Sequence, residues 1–429
     1  MKVFINDPIK LGKILFYIGL FLLPSAFSLG SIILIIALIF SLTSSTENIY
    51  KDKLNLIFLI SSSFLLITSI INFLDPKAIN NITDNSHLTL IGLLNWIPQI
   101  ILFIGFQKYL VNSKSRKNCV LALISGSIPI LFSCFSQSLL NWHGPMQTFF
   151  GLIVWYQRPI DGITGITGLF NNPNYLGAWL NIIWPFTLAM MFFNNKNAYK
   201  VIIKLFLTIS IAALIILTAS RSAWICLLIP IPFIFPQKFR NWLIYSIPLT
   251  VLSTLSLSFP LLGKGFQSFL RGFVPKGLWI NLTNQGYETL DISRLDIWRY
   301  ASRFALEHPI VGNGARSFTS LLYDETGLWK GHSHNLPLEL IVSYGIPAAL
   351  TLLLPVGYIV YKSYIKLFFS NIQTNKKTII DKAWIVSLTL LIVMHLVDIQ
   401  YFDGRISITG WILLAGAKNI INDEELKCS

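Results

Sequence analysis

Apolar runs separated by short polar connections make up most of the chain. A helix that crosses the bilayer needs about 20 mostly apolar residues, and many of the runs approach or exceed that length. Several runs contain proline, which membrane helices tolerate when neighbouring groups satisfy the freed backbone. The pattern predicts an all-α polytopic membrane protein with about twelve spans, at 11–27, 29–43, 54–73, 89–110, 118–136, 174–193, 201–219, 222–236, 241–262, 335–361, 383–402 and 405–421.

The composition excludes a soluble globular protein. Of the 429 residues, 54% are hydrophobic and only 12% are charged, whereas soluble domains are roughly 25% charged. The formal charge of +14 would suggest nucleic acid in a soluble protein, but in a membrane protein basic residues mainly set orientation. We therefore expect membrane lipids as neighbours and no nucleic-acid partner.

The positions of the Lys and Arg residues predict the topology. Most of them fall on the inner side if both termini are cytoplasmic, and long outer loops are exempt from the charge rule. The interpretation is a single integral membrane domain over 1–429, with an outer segment at 137–173 and a large helical periplasmic loop at 263–334 between the ninth and tenth spans. The run MQTFFGLIVWY at 146–156 is too short to span, so we expect an interfacial helix there.

The outer loop contains SRLDIW, in which Ser293 and Asp296 resemble a capping box at a helix start. Arg294 stands in the first turn, where a cation opposes the helix dipole unless an anion binds there. The alternative is a solvated surface arginine.

The motif GHSHNLPLEL marks the return of the chain into the membrane. Asn335 is a good N-cap, so His332 and His334 should lie at the outer mouth of a helix, where a neutral histidine can act as a general base. Glu339 follows one turn later, at a depth where carboxylates are costly. Zinc binding by the two histidines, or plain interfacial histidines, are the alternatives.

Three further features stand at the ends of predicted spans or within one. Arg221 lies between two spans with almost no loop and needs an anionic partner, either a bound phosphate or an acid such as Asp398 or Asp403. His395 and Asp398 lie one turn apart. This spacing fits a structural pair and a functional site equally well. Asn174 is interpreted as a helix cap. No Asp-x-Asp, P-loop or NAD fingerprint occurs, so no cofactor is expected.

In this order, GLFNNPN, LTASRSAW, RLDIW, HPIVGNG and HSHNLPLELIVSYG resemble the motifs of the O-antigen ligase and polymerase superfamily of bacterial envelope enzymes. The resemblance is densest over 168–347. It implies a GT-C-like fold in the bacterial inner membrane and a metal-independent, inverting glycosyl transfer at the periplasmic face. The implied donor is a glycan on undecaprenyl pyrophosphate, and the implied acceptor is a sugar hydroxyl on lipid A core or on another lipid-linked glycan.

The resemblance also implies roles for individual residues. His334 matches the catalytic base, Arg221 and Arg294 match arginines that hold the pyrophosphate, and Arg158 is added as a third candidate because it is the only basic residue in its outer segment. Four further residues are interpreted as supporting the site around the catalytic base: His332, Asn335, Glu339 and Asn174. A polymerase of the same superfamily and a secondary transporter of a small anion such as bicarbonate are the alternatives.

Overall fold

The structure is a computed structural model of the chain. It describes residues 7–44, 51–74, 86–160, 165–193, 197–235, 263–273, 292–369 and 378–423, together with isolated positions between 241 and 256.

The described residues are almost entirely helical, with one small β-hairpin. We number the elements in chain order as α1 (Pro8–Leu22), α2 (Phe27–Thr43), α3 (Lys53–Leu74), α4 (Ser86–Ile91), α5 (Ile97–Phe106), α6 (Ser113–Gly126), α7 (Ile128–Leu140), β1 (Met146–Thr148), β2 (Ile153–Trp155), α8 (Pro173–Met190), α9 (Ala198–Leu217), α10 (Arg221–Leu228), α11 (Pro230–Ile234), α12 (Lys264–Phe273), α13 (Arg294–Glu307), α14 (Ser317–Thr326), α15 (Leu336–Tyr364), α16 (Thr378–His395) and α17 (Gly404–Asn422).

Among the described residues, six helical stretches are long and apolar enough to cross a membrane, which makes this a helical membrane protein. They are Lys53–Leu74, His87–Tyr109, Ser113–Leu140, Ala198–Leu217, Leu336–Phe369 and Thr378–His395. Helices also cover the other predicted spans except 241–262, which lies almost wholly outside the described residues. The total of twelve spans therefore stays a prediction.

Prolines divide three of the predicted spans, and Pro230, at the start of α11, is one of them. Pro98 stands in the first turn of α5, after a short 3-10 segment that separates it from α4. Pro129 likewise stands in the first turn of α7, directly after α6 ends. Proline suits the first turn of a helix because no intrahelical bond uses its missing N–H, so each run continues as a second helix after the break.

The prediction of an interfacial helix at 146–156 is wrong. This stretch forms the antiparallel hairpin of β1 and β2, with Met146 opposite Trp155. The backbone at the tip explains the difference, since Phe149, Phe150 and Gly151 all take positive φ angles, which no right-handed helix accommodates. Both phenylalanines are exposed at the tip.

The centre of the bundle consists of α8 and α16, whose side chains are almost all buried. Hydrogen bonds join them to their neighbours: Ser387 Oγ donates to the Ile182 carbonyl at 2.7 Å, and the indole N–H of Trp384 donates to the Leu413 carbonyl at 2.7 Å. Buried indole groups need such partners. Because α8 begins and α16 ends at the same end of the bundle, the residues that flank those two termini lie close together, as the hydrogen bond of Asn174 Nδ2 to Asp398 shows.

Helices on the periphery expose their apolar side chains. Ile39 of α2, Ile67 of α3 and Phe206 of α9 are each more than half exposed. In water such surfaces would be unfavourable, whereas lipid tails solvate them.

A buried ion cluster closes the end of the bundle opposite to the start of α8. The Arg116 guanidinium donates to Asp381 at 2.6 Å and to Asp423 at 2.6 Å, and all three side chains are buried. Nearby, Lys418 pairs with Asp52 at 2.7 Å. These residues come from segments that the topology assigns to one side of the membrane, and the structure brings them into contact; which side this is stays a prediction.

Removing one member of this cluster should destabilise the protein strongly. We expect Arg116→Ala to lower the free energy of unfolding by about 3–5 kcal/mol, because it leaves two buried carboxylates without their cation. Thermal unfolding in detergent measures this. Lys10→Ala, which breaks an exposed ion pair with Asp7, is the control and should change little; equal effects of the two variants would contradict the assignment.

The outer helices α13 and α14 dock on α15. Ile297, Phe304 and Phe318 pack with Val342 in a small apolar core. Beside it, the backbone of the HPIVGNG segment approaches α15 so closely that a Cβ at Gly312, where φ is +69°, would lie 2.5 Å from the Tyr344 nitrogen. The glycine is therefore required for this contact.

Candidate functional site

The start of α15 presents the histidine motif at the mouth of the bundle. The Asn335 side chain accepts from the Leu338 N–H at 2.9 Å, so Asn335 is the N-cap, as predicted. Its Nδ2 group donates to the Leu396 carbonyl at 2.9 Å, in the connection between α16 and α17. Asn335 thereby holds the loop of His332 and His334 against that connection.

His334 is the central residue of the site. Its backbone takes a φ of +55°, a left-handed conformation that is uncommon for histidine and is found at functional sites when the surroundings enforce it. Its Nδ1 lies 2.8 Å from Oδ1 of Asp398, and the side chain is 25% exposed. The ring is therefore anchored on one side and accessible to a substrate.

Asp398 is a buried carboxylate with three hydrogen-bond partners. The predicted span at 383–402 ends as a helix at His395, so Asp398 lies in the connection that follows. Oδ1 also accepts from the Ile399 N–H at 3.0 Å, and Oδ2 accepts from Asn174 Nδ2 at 2.8 Å. Burial alone would raise the pKa of Asp398, but the His334 hydrogen bond and the nearby positive charges outweigh it and hold the pKa below its usual range.

The hydrogen bond between His334 Nδ1 and Asp398 determines the tautomer of His334. An ionised carboxylate can only accept hydrogen bonds, so the Nδ1 of His334 must carry the hydrogen. In the neutral ring, Nε2 then has the free lone pair that a general base needs.

Asn174 has a different role from the predicted one. The N-cap of α8 is Asn172, whose side chain accepts from the Asn174 N–H at 2.8 Å. With Pro173 as the first helical residue, the cap falls two positions before Asn174. This frees the Asn174 amide to orient Asp398.

His332 lies beside His334, with ring centroids 4.4 Å apart. Its Nδ1 accepts from the backbone N–H of His334 at 3.2 Å. Burial, followed by the charges of His334 and Arg294, lowers the pKa of His332 to about 4. A neutral ring that accepts at Nδ1 carries its hydrogen on Nε2, so His332 is a hydrogen-bond donor to any ligand.

Glu339 fixes the histidine loop from below. Its Oε2 accepts from the Ser333 N–H at 2.8 Å, and the side chain is buried. Ser333 Oγ in turn donates to the Asn335 carbonyl at 3.1 Å. Glu339 therefore supports the loop conformation that holds both histidines.

Arg294 contributes to the charged surroundings of His332 and Asp398. It is the first residue of α13, and Ser293 caps this helix by accepting from the Asp296 N–H at 3.2 Å, as the sequence predicts. The Arg294 side chain is exposed, and its charge lowers the pKa values of both His332 and Asp398. The structure thus brings one predicted arginine to the His334 site.

Arg221 lies at the same end of the bundle. It is the first residue of α10 and is exposed. The start of α10 packs on the start of α8, where a Cβ at Gly177 would lie 2.9 Å from Ala223. Arg221 is therefore one helix away from Asn174 and Asp398. Of the two acids considered as its partner, Asp398 binds His334, and Asp403 pairs with Arg405 at 2.5 Å.

Arg158 lies in the outer segment between α7 and α8. Its backbone N–H donates to Thr167 at 3.0 Å, and its carbonyl accepts from Gln137 at 2.5 Å. No contact joins Arg158 to His334 or Asp398 in the described part of the chain, so the structure does not bring it into the cluster.

His332, His334 and Asp398 together offer three metal-ligand atoms within 4.8 Å of one another. Two histidines and a carboxylate are a ligand set that zinc enzymes use. The hydrogen bonds do not fit that use, because the His334 N–H occupies the Nδ1 lone pair of His332 and leaves Nε2 protonated. His332 would have to break this bond to bind a metal ion.

His395 does not pair with Asp398. Its Nδ1 lies 3.3 Å from the Gln400 side-chain oxygen, and the ring is buried beside Tyr401. Of the two residues that the sequence left open, Asp398 belongs to the site and His395 to the core.

A cavity of about 290 Å³ adjoins His332. It lies between the outer helices and the membrane helices. Its lining includes Trp96, Tyr175, Arg316, His332, Glu339 and Phe402.

Comparison with known families places the central part of the chain. Residues 205–353 match a family model described as O-Antigen ligase. This match covers about a third of the chain, and it supports membership in the O-antigen ligase superfamily. No curated protein matches the chain.

Members of the O-antigen ligase superfamily are membrane enzymes of the glycosyltransferase type, and they act on lipid-linked glycans. With its apolar helices, this member is a multi-pass protein of the bacterial inner membrane type. The matched region contains Arg221, Arg294 and His334, whereas Asn174 and Asp398 lie outside it.

Two further residues of the candidate site were not among the predicted site residues. Asp398 is separated from His334 by 64 positions, and its spacing from His395 left a structural pair and a functional site equally open. Arg316 lines the cavity, and its signal was a lone arginine after the glycines of HPIVGNGAR.

Proposed function

We propose that the protein transfers a glycan from undecaprenyl pyrophosphate to a sugar hydroxyl at the periplasmic face, as an O-antigen ligase-like enzyme. The observation that carries the proposal is the His334–Asp398 pair, in which a buried carboxylate orients a partly exposed histidine with Nε2 free. This is the arrangement that activates a hydroxyl as nucleophile.

The reaction is a single inverting displacement. The acceptor hydroxyl gives its proton to Nε2 of His334 while its oxygen forms a bond to the anomeric carbon of the donor. The bond from that carbon to the pyrophosphate oxygen breaks, and undecaprenyl pyrophosphate leaves with the bonding electrons. Asp398 stabilises the protonated His334.

The leaving group needs cations. Arg294, at the start of α13, and Arg221, at the start of α10, are the residues we assign to the pyrophosphate, because both stand at the His334 end of the bundle on helix N-termini. Guanidinium groups bind pyrophosphate oxygens in pairs and can stabilise the leaving charge without a metal ion. Arg158 remains a third candidate, and no contact among the described residues supports it.

Purified protein with a defined undecaprenyl-pyrophosphate glycan and candidate acceptors tests the function. A single band shift on a gel is the result expected for a ligase. A ladder would favour the polymerase alternative, which the same site geometry serves equally. Release of no undecaprenyl pyrophosphate with any acceptor would contradict a transferase.

Lysine should be a poor substitute at position 221. We expect Arg221→Lys to reduce transfer by about 10-fold or more, because lysine presents a point charge and cannot bind two pyrophosphate oxygens with a planar fork. Initial rates against donor concentration measure this. Arg299→Lys, on an exposed surface of α13, is the matched control. Full activity of Arg221→Lys would mean that position 221 needs only a charge or has a structural role.

A further inference from the structure

The 290 Å³ cavity beside His332 has no role in the proposed displacement. Aromatic rings from four separate elements line it, namely Trp96 before α5, Tyr175 in α8, Tyr344 in α15 and Phe402 before α17. Sugar rings present apolar C–H faces that pack on aromatic side chains, while polar groups in the wall fix their hydroxyls. Asn95 and Ser343 supply such groups here.

Arg316 stands at the rim of this cavity. Its side chain is exposed, and no ion pair of Arg316 occurs within the described residues. Its backbone is left-handed, with a φ of +66°, at the N-cap of α14. Glycine or asparagine would take this conformation with less strain, so an arginine here indicates a use for its charge.

The acid in the same cavity, Glu339, forms no ion pair with Arg316 among the described residues. Its carboxylate accepts from the Ser333 N–H at 2.8 Å, on the histidine loop. The guanidinium is thus left to attract an anionic group of a ligand.

The two histidines offer complementary hydrogen-bonding groups to a sugar in the cavity. His332 lines the cavity and offers an N–H, whereas His334, with its ring centroid 4.4 Å away, offers a lone pair. Adjacent donor and acceptor groups suit neighbouring hydroxyls of one sugar. A sugar bound here would therefore direct a hydroxyl to the base.

We propose that this cavity binds the acceptor sugar that carries the attacking hydroxyl, and that Arg316 selects acceptors in which this sugar is acidic, such as a uronate. The proposal rests on the proposed transferase function, since only a base at His334 gives the hydroxyl its role.

Ligand-observed saturation-transfer NMR on the full chain in nanodiscs tests the proposal without a donor. The probes are methyl glucuronide and methyl galacturonide, with methyl glucoside and methyl galactoside as their neutral counterparts. We expect the wild type to bind at least one uronide more tightly than its neutral counterpart. Arg316→Asn should raise the Kd of that uronide about ten-fold, because it removes a charge-assisted contact, and should leave the neutral glycosides unchanged. Arg316→Lys should retain part of the preference.

The variants separate binding from folding. Asparagine tolerates the left-handed backbone at position 316, and Arg299→Asn is a matched control on an exposed part of α13. Equal binding of uronides and neutral glycosides by the wild type, no binding of either, or an undiminished preference in Arg316→Asn would overturn the proposal. Failure of the transferase function would show differently, as uronide binding without transfer from any lipid-linked donor.

Discussion

Replacement of His334 by alanine should abolish glycan transfer while the protein still folds and inserts. The side chain is partly exposed, and its only described side-chain hydrogen bond is to Asp398. The substitution should therefore lower the rate of transfer much more than the stability of the fold. Without a base at this position the acceptor hydroxyl keeps its proton, and we expect the rate to fall by about 10³-fold or more. In cells the surface polysaccharide should lose its attachment or extension.

Glycan profiles and initial rates with purified protein both report this effect. His143→Ala is a matched control, because His143 is an exposed histidine in the segment after α7. Protein amount in the membrane should be equal for both variants and the wild type. Wild-type glycan profiles from His334→Ala would exclude this residue as the base.

The helix caps of the site could be predicted from the sequence because each cap depends on residues that are close together in the chain. The caps at Ser293 and Asn335 each satisfy an N–H three residues away, so a short pattern contains all the information. The same reasoning misplaced the cap of α8, since Asn172 and Asn174 are both suitable residues and the position of Pro173 in the first turn decides between them.

Contacts between distant segments could not be predicted in the same way. His334 and Asp398 meet because α15 begins and α16 ends at one end of the bundle, and no pattern in either motif encodes that packing. The hairpin at Met146–Trp155 depends on left-handed φ angles at Phe149 and Phe150. Phenylalanine rarely adopts such angles, so nothing in this short apolar run indicated a turn there.

Replacement of Asp398 by asparagine should have the second largest effect, because it removes the group that sets the tautomer of His334. The carboxylate now accepts from His334 with one oxygen and from Asn174 with the other. An asparagine has one acceptor and one donor end, so it cannot satisfy both contacts as they stand. If its nitrogen faces His334, the ring must place its hydrogen on Nε2 and loses the lone pair that the reaction needs.

We expect Asp398→Asn to lower kcat by about 10²-fold to 10⁴-fold with little change in the KM for the lipid-linked donor, because Asp398 positions the base and does not itself touch the donor. Steady-state kinetics with varied donor separates the two parameters, and Asp398→Glu, which keeps the charge, should recover part of the loss. Asp324→Asn, at an exposed site on α14, controls for the change of charge. A variant whose donor KM rises while its kcat stays at the wild-type value would assign Asp398 to substrate binding, and the Nδ1 contact of His334 would then be structural.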